Sequence, residues 1–132
     1  MASSLRKERH SVTALYVHLV FVTKYRKKVF TEQHFQILEE SFKNVARSMD
    51  FKIIEFNGES DHVHLLVEYP PKYSISKLVN HLKGVSSRMI RKQFDISPHK
   101  EHLWSPSYFA SSSGGAPLDV LKKYIENQEK PS

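Results

Sequence analysis

From Thr13 to Thr23 (TALYVHLVFVT) apolar and β-branched residues follow one another with little polar interruption. That pattern predicts a strand inside a sheet rather than at its edge. Thr31 then offers a helix N-cap, and Phe35, Leu38, Phe42, Val45 and Met49 recur at steps of three and four. Such spacing predicts an amphipathic helix. Phe51 to Phe56 (FKIIEF) reads as a short strand and Asn57-Gly58 as a turn, with DHVHLLVEY (residues 61–69) as the second arm of a hairpin. Ser74 to Phe94 is expected to form a second helix, buried along Ile75, Leu78, Leu82, Val85 and Met89. His102 to Ser111 (HLWSPSYFAS) reads as a strand with an edge or bulge at Pro106. A Ser/Gly linker follows, and Pro117 opens a last helix, Leu118 to Gln128.

The order strand, helix, strand, strand, helix, strand, hinged helix defines an α+β expectation. It is a ferredoxin-like or RRM-like split βαβ sandwich, with an antiparallel sheet and its helices on one face. The 132 residues suit one domain. Its expected parts are a core at 1–111, a linker at 112–115 and a helix at 116–129.

In a strand, alternate side chains share a face, about 6.6 Å apart. His62 and His64 therefore project together, while Val63, Leu65 and Val67 point toward the core. Two neutral imidazoles so placed can bind one divalent metal. They can equally be two exposed side chains on a sheet face. Asp61 can act as a further ligand or orient a histidine from behind. On the last helix Tyr124 and Gln128 stand four apart, so they share a face beside Leu118, Leu121 and Ile125.

Twenty Lys and Arg against fourteen Asp and Glu give a formal charge of +6. That balance favours a polyanionic partner such as nucleic acid. The candidate contacts form two groups. One is Lys24, Tyr25, Arg26, Lys27 and Lys28, where a ring capable of stacking sits among cations. The other is the second helix, with Lys77, Lys83, Arg88, Arg91 and Lys92, and Gly84 in the middle of its basic face. The absence of cysteine excludes disulfides and thiolate metal sites. It fits a cytoplasmic location. No apolar run nears the roughly 18 residues needed to cross a bilayer. The charged start MASSLRKERHS carries no secretory pattern. No GxxxxGK[ST] phosphate loop is present.

Five stretches in order resemble the IS200/IS605-type single-stranded-DNA transposases, small HUH enzymes with one catalytic tyrosine. They are VHLVFVTKYRKKVF (17–30), DHVHLLVEYPP (61–71), LKGVSSRMIRKQF (82–94), LWSPSYF (103–109) and GGAPLDVLKKYIENQ (114–128). The resemblance implies Tyr124 as nucleophile, with Mg²⁺ or Mn²⁺ held by His62, His64 and Gln128. It implies single-stranded DNA bearing imperfect hairpins as substrate, cleaved through a 5′-phosphotyrosine. It also implies a homodimer whose active sites combine the histidines of one subunit with the tyrosine helix of the other.

Three alternatives share parts of this pattern. A non-enzymatic RRM-like module would use the same fold, but its Lys/Arg-Gly-Phe/Tyr signature is missing. Replication initiators and relaxases share the histidine pair, but the small size and the late position of Tyr124 favour the transposase. A domesticated HUH nickase would use the same chemistry without moving its own element.

Overall fold

A computed structural model describes residues 5–94, 102–112 and 123–128 of the chain. Its elements run β1 (Arg6–Glu8), β2 (Ser11–Thr13), β3 (Tyr16–Val22), a 3₁₀ turn (Lys24–Arg26), α1 (Glu32–Met49), β4 (Lys52–Glu59), β5 (His62–Glu68), α2 (Ile75–Phe94) and β6 (Phe109–Ser112). A helical turn at 123–126 follows. The main sheet has the order β4-β5-β3-β6 and is antiparallel throughout. From β3 to β6 this is the split βαβ arrangement that the hydrophobic pattern predicts.

One face of the sheet carries the core. Val17, Leu19 and Phe21 of β3 and Val63, Leu65 and Val67 of β5 pack with Leu38, Phe42 and Val45 of α1 and Leu78, Leu82 and Ile90 of α2. Each large apolar side chain buried there contributes about 1.5–3 kcal/mol. Phe21 makes edge contacts with Phe42 and Trp104, and Trp104 Nε1 donates to the buried Ser86 Oγ at 3.0 Å. Thr31 does cap α1: its N–H donates to His34 Nδ1 at 3.1 Å. The His34 ring stacks on Phe94, so the cap is also a tie between the two helices.

Three local expectations change. Asn57-Gly58 is not a turn: Asn57 pairs with His64, Gly58 with Val63 and Glu59 with His62, and the chain turns at 60–61. Glycine is needed at 58 for close approach, since a Cβ there would lie 2.4 Å from the His62 carbonyl oxygen and 2.9 Å from Val63 Cα. The strand expected over 102–111 is shorter. Trp104 makes an isolated bridge to Thr23, and regular pairing begins at Phe109. Ser105-Pro106 interrupts it, because proline has no N–H to give a ladder. The strand then runs on into Ser112, the first residue of the expected linker. The rest of that linker and residues 116–122 of the expected last helix lie outside the described residues.

The hairpin of β1 and β2 was not expected. It is tied to the sheet by Arg6, whose guanidinium meets both carboxylate oxygens of Glu68 at 2.8 Å and the Asp50 carboxylate at 3.3 Å. Among the described residues no helix is long and apolar enough to cross a membrane.

Candidate active site

The second face of the sheet carries the candidate histidines. Register pairs His62 with Val22 and His64 with Val20, so all four point away from the helices. Both histidines are half-buried, whereas Val20 and Val22 are fully buried. The period-two reading of DHVHLLVEY is therefore what the backbone delivers.

Each imidazole is held by a different neighbour. Asp61 is buried and its Oδ1 lies 2.9 Å from His62 Nδ1. The Asp61 carboxylate is faced in turn by Arg26 Nε at 3.6 Å. His62 Nδ1–H donating to Asp61 leaves Nε2 with its lone pair outward, the form in which a histidine binds a metal. His64 Nε2 lies 3.0 Å from His18 Nδ1. The ring planes are 10° apart and the centroids 5.2 Å, so the rings lie edge to edge and share one N–H···N bond. Burial pushes the His64 pKa down, His18 and His62 push it the same way, and Glu55 partly opposes them. A neutral His64 is a competent ligand. His18 escaped the sequence reading. Its signal was there, an imidazole two positions before Val20 in an otherwise apolar strand.

Tyr124 and Gln128 come together on the other side of β3. Ser107 Oγ lies 2.9 Å from the Tyr124 hydroxyl, and the Ser105 and Ser107 hydroxyls each donate to Gln128 Oε1 at 3.1 Å. Ser107 has one hydroxyl proton. With that proton on Gln128, the Tyr124 hydroxyl donates to Ser107. The Tyr124 ring packs against Phe109 at 5.5 Å. Burial raises the Tyr124 pKa, and Ser107 offsets part of the rise through the bond its hydroxyl can donate to the phenolate.

One ladder line relates the two halves. Val20 pairs with His64 on one side and with Phe109 on the other, so these three side chains share a face. Phe109 therefore stands two strand spacings, about 10 Å, from His64. Gln128 Oε1 is spent on the two serines rather than on the histidines. Among the described residues no group of three or more His, Cys, Asp and Glu side chains gathers at one point. The histidine pair suits a divalent metal in donor type. Gln128, the expected third donor, is bonded to Ser105 and Ser107 here.

The basic candidates separate into different environments. Tyr25 and Arg26 hold left-handed backbone, with φ of 60° and 54°, which costs each non-glycine residue about 1–3 kcal/mol. That backbone accompanies a Tyr25 ring with Lys24 Nζ at 5.3 Å and Lys27 Nζ at 6.0 Å from its centroid. Arg26 turns to Asp61 instead. Lys28, Lys77, Arg88 and Lys92 are exposed, and Arg91 is half-buried. A cavity of about 450 Å³ opens between α2 and the 102–108 segment, lined by Lys24, Gly84, Arg88, Arg91, Trp104 and Tyr108 among others. A Cβ at Gly84 would make only ordinary contact, 3.5 Å from Arg88. The protein itself therefore does not require glycine there. Lys83 faces inward.

A split βαβ sheet with a histidine pair on its open face places this chain among the transposases, as comparison with known proteins shows. The family model described as "Transposase IS200 like" matches residues 11–128. The transposase for insertion sequence element IS200 of Salmonella typhimurium is 30% identical over 114 residues, covering 84% of this chain and 74% of that protein. The ISDra2 transposase TnpA of Deinococcus radiodurans is 30% identical over 127 residues, covering 94% and 91%. A crystal structure of a Deinococcus radiodurans R1 protein described as a transposase superposes with a TM-score of 0.87 at 30% identity, covering 96% of this chain and 99% of that one. A REP-associated tyrosine transposase bound to a REP hairpin shares the fold, with a TM-score of 0.59 at 13% identity over 92% of this chain and 68% of that one. The chain belongs to the IS200-like transposase family.

Proposed function

We propose that this transposase cuts and rejoins single-stranded DNA at hairpin-marked element ends, with Tyr124 as the nucleophile. The observation that carries the reading is the shared face. Tyr124 rests on Phe109, and Phe109 lies on one ladder line with His64.

In the reaction the Tyr124 oxygen attacks a backbone phosphorus in line. The bond to the 3′ oxygen breaks, that oxygen leaves as a 3′-OH, and the 5′ end stays on the tyrosine. One phosphodiester replaces another, so a later attack by a 3′-OH restores the strand and frees Tyr124 without ATP. The phenol proton has to leave during attack. Burial holds Tyr124 in its protonated form at rest, with Ser107 as the group nearest its hydroxyl. Mg²⁺ or Mn²⁺, held by His62, His64 and Gln128, would supply Lewis-acid polarisation of the scissile phosphate. Asp61 engages His62 Nδ1 and His18 engages His64 Nε2, which leaves His62 Nε2 and His64 Nδ1 as the nitrogens for such a metal. Gln128 has to exchange its serine partners for the histidines. A homodimer with composite sites provides one route, the tyrosine helix of one subunit seating against the histidines of the other.

For DNA, the Tyr25 ring between Lys24 and Lys27 and the cavity with Trp104, Tyr108 and Arg88 combine aromatic faces with cations. Single strands are bound by that combination. The relative bound to a REP hairpin supports a hairpin as the structured part of the substrate.

The test uses labelled single-stranded DNA with hairpins from the sequence flanking the gene, with Mn²⁺ or with EDTA. A metal-dependent adduct that survives SDS and disappears in Tyr124→Phe and His64→Ala is expected. Binding with no adduct across several hairpins and both metals would replace the reading with a binding module.

A further inference from the structure

Lys83 belongs by sequence to the basic face of α2 and lines the cavity beside Arg88, yet its half-buried ammonium is engaged by protein carbonyls. It donates to the carbonyl oxygens of Ser105 at 2.7 Å and Ser107 at 2.8 Å. It also lies over the rings of Phe21 and Tyr108, at 5.6 Å and 5.8 Å. These are charge-assisted bonds in a partly desolvated setting, stronger than neutral ones. The hydroxyls of the same two serines hold Gln128 and Tyr124. Ser105 is fixed a third way, its N–H donating to the Val22 carbonyl at 2.7 Å. Segment 105–107 is thus a bracket. Its carbonyls rest on α2, one amide rests on β3, and its hydroxyls carry the C-terminal turn.

We propose that Lys83 is a positioning residue for Tyr124 and Gln128, acting through the Ser105–Ser107 bracket, and is not a phosphate contact. Its importance for chemistry rests on Tyr124 being the nucleophile, but the mechanical link does not. A lysine that bound phosphate would keep its ammonium in water and give up counterions to DNA. Here two of the three ammonium protons are committed to carbonyls, and burial lowers the Lys83 pKa to about 8. The ammonium keeps the two carbonyls at fixed separation across Pro106, and so sets where the two serine hydroxyls stand.

The experiment compares full-length wild type, Lys83→Met, Lys83→Arg, Ser107→Ala and Arg88→Met. Three quantities are read: amide hydrogen exchange over residues 123–128, hairpin DNA affinity across a salt series, and adduct formation at saturating DNA. Lys83→Met should speed exchange at 123–128 and leave the salt slope at the wild-type value. Its adduct rate should fall about 100-fold, the loss expected when reacting groups are misplaced by about 1 Å. Lys83→Arg, which can still donate to both carbonyls, should recover much of that rate. The double variant with Ser107→Ala should lose no more than the worse single variant. Arg88→Met should instead flatten the salt slope by about 0.7. If Lys83→Met flattens the slope like Arg88→Met and leaves exchange at 123–128 unchanged, Lys83 is a phosphate contact and the proposal is overturned. If Lys83→Arg, although folded, is as impaired as Lys83→Met, it is overturned too. Failure of the Tyr124 reading looks different: no adduct in wild type, or one that persists in Tyr124→Phe, with the exchange result unaffected.

Discussion

His18 Nδ1 and His64 Nε2 share one hydrogen bond of 3.0 Å across two neighbouring inner strands. The bond fixes which nitrogen of His64 is engaged and how its ring is turned. Removing the partner of a metal-binding histidine typically weakens metal affinity about 10- to 100-fold. His18→Ala should therefore lower Mn²⁺ affinity by that factor, read by calorimetry on the DNA-free protein. Unchanged affinity would show that the His64 ring holds its orientation unaided.

Gly58 sits against backbone rather than against a yielding side chain. Gly58→Ala should cost about 1–3 kcal/mol, the range for forcing an extra carbon into a packed site. A lower urea midpoint with an unchanged slope is the expected signature. A midpoint equal to wild type would mean that β4 and β5 separate there at no cost.

Arg6 and Glu68 form a buried pair, with side chains 10% and 6% exposed, whereas the Asp50 partner is 78% exposed. Arg6→Met leaves Glu68 without its cation and should cost about 3–5 kcal/mol. Asp50→Asn should cost about 0–1 kcal/mol. Equal losses for the two variants would contradict the burial argument.

Acid should destabilise the fold through His34. Burial holds its pKa below the ordinary 6.5, so the unfolded chain binds a proton that the folded chain refuses. The stability it contributes is complete above pH 6.5 and is lost as the pH falls below that value. Lys83 acts at the other end. Its folded pKa of about 8 lies below the ordinary 10.5, so stability rises as the pH climbs through that interval. Urea midpoints against pH should show both slopes. His34→Gln should reduce only the acid one, which His64 shares, and Lys83→Met should flatten only the alkaline one.

Much of this was legible in the chain. The split βαβ order followed from hydrophobic period, and the face shared by His62 and His64 followed from alternation along one strand. Asn57-Gly58 misled because glycine answers two needs, a turn or a close approach, and local sequence does not tell them apart. Only the packing against Val63 and His62 decides between them. The β1–β2 hairpin was hidden because its strands are short and polar, and Arg6 finds Glu68 sixty-two residues away. The bracket at Ser105 and Ser107 was hidden for a similar reason. A serine carries no periodic signal, and its meaning comes from Lys83 on one side and Gln128 on the other.

The strand order β4-β5-β3-β6 places both histidine-bearing strands inside the sheet. His62 and His64 are therefore anchored by ladders on both flanks, while the described part of the Tyr124 segment is held by serine hydroxyls and one ring contact. Among the described residues the two parts of the candidate site are held differently. One is a fixture of the fold, and the other, in its described residues 123–128, meets the fold through the side chains of Ser105, Ser107 and Phe109. For a protein engineer the two ask for different handling. The fixture can be altered only at a cost to folding, whereas a redesigned C-terminal segment could be exchanged on the same sheet and assayed as a cassette.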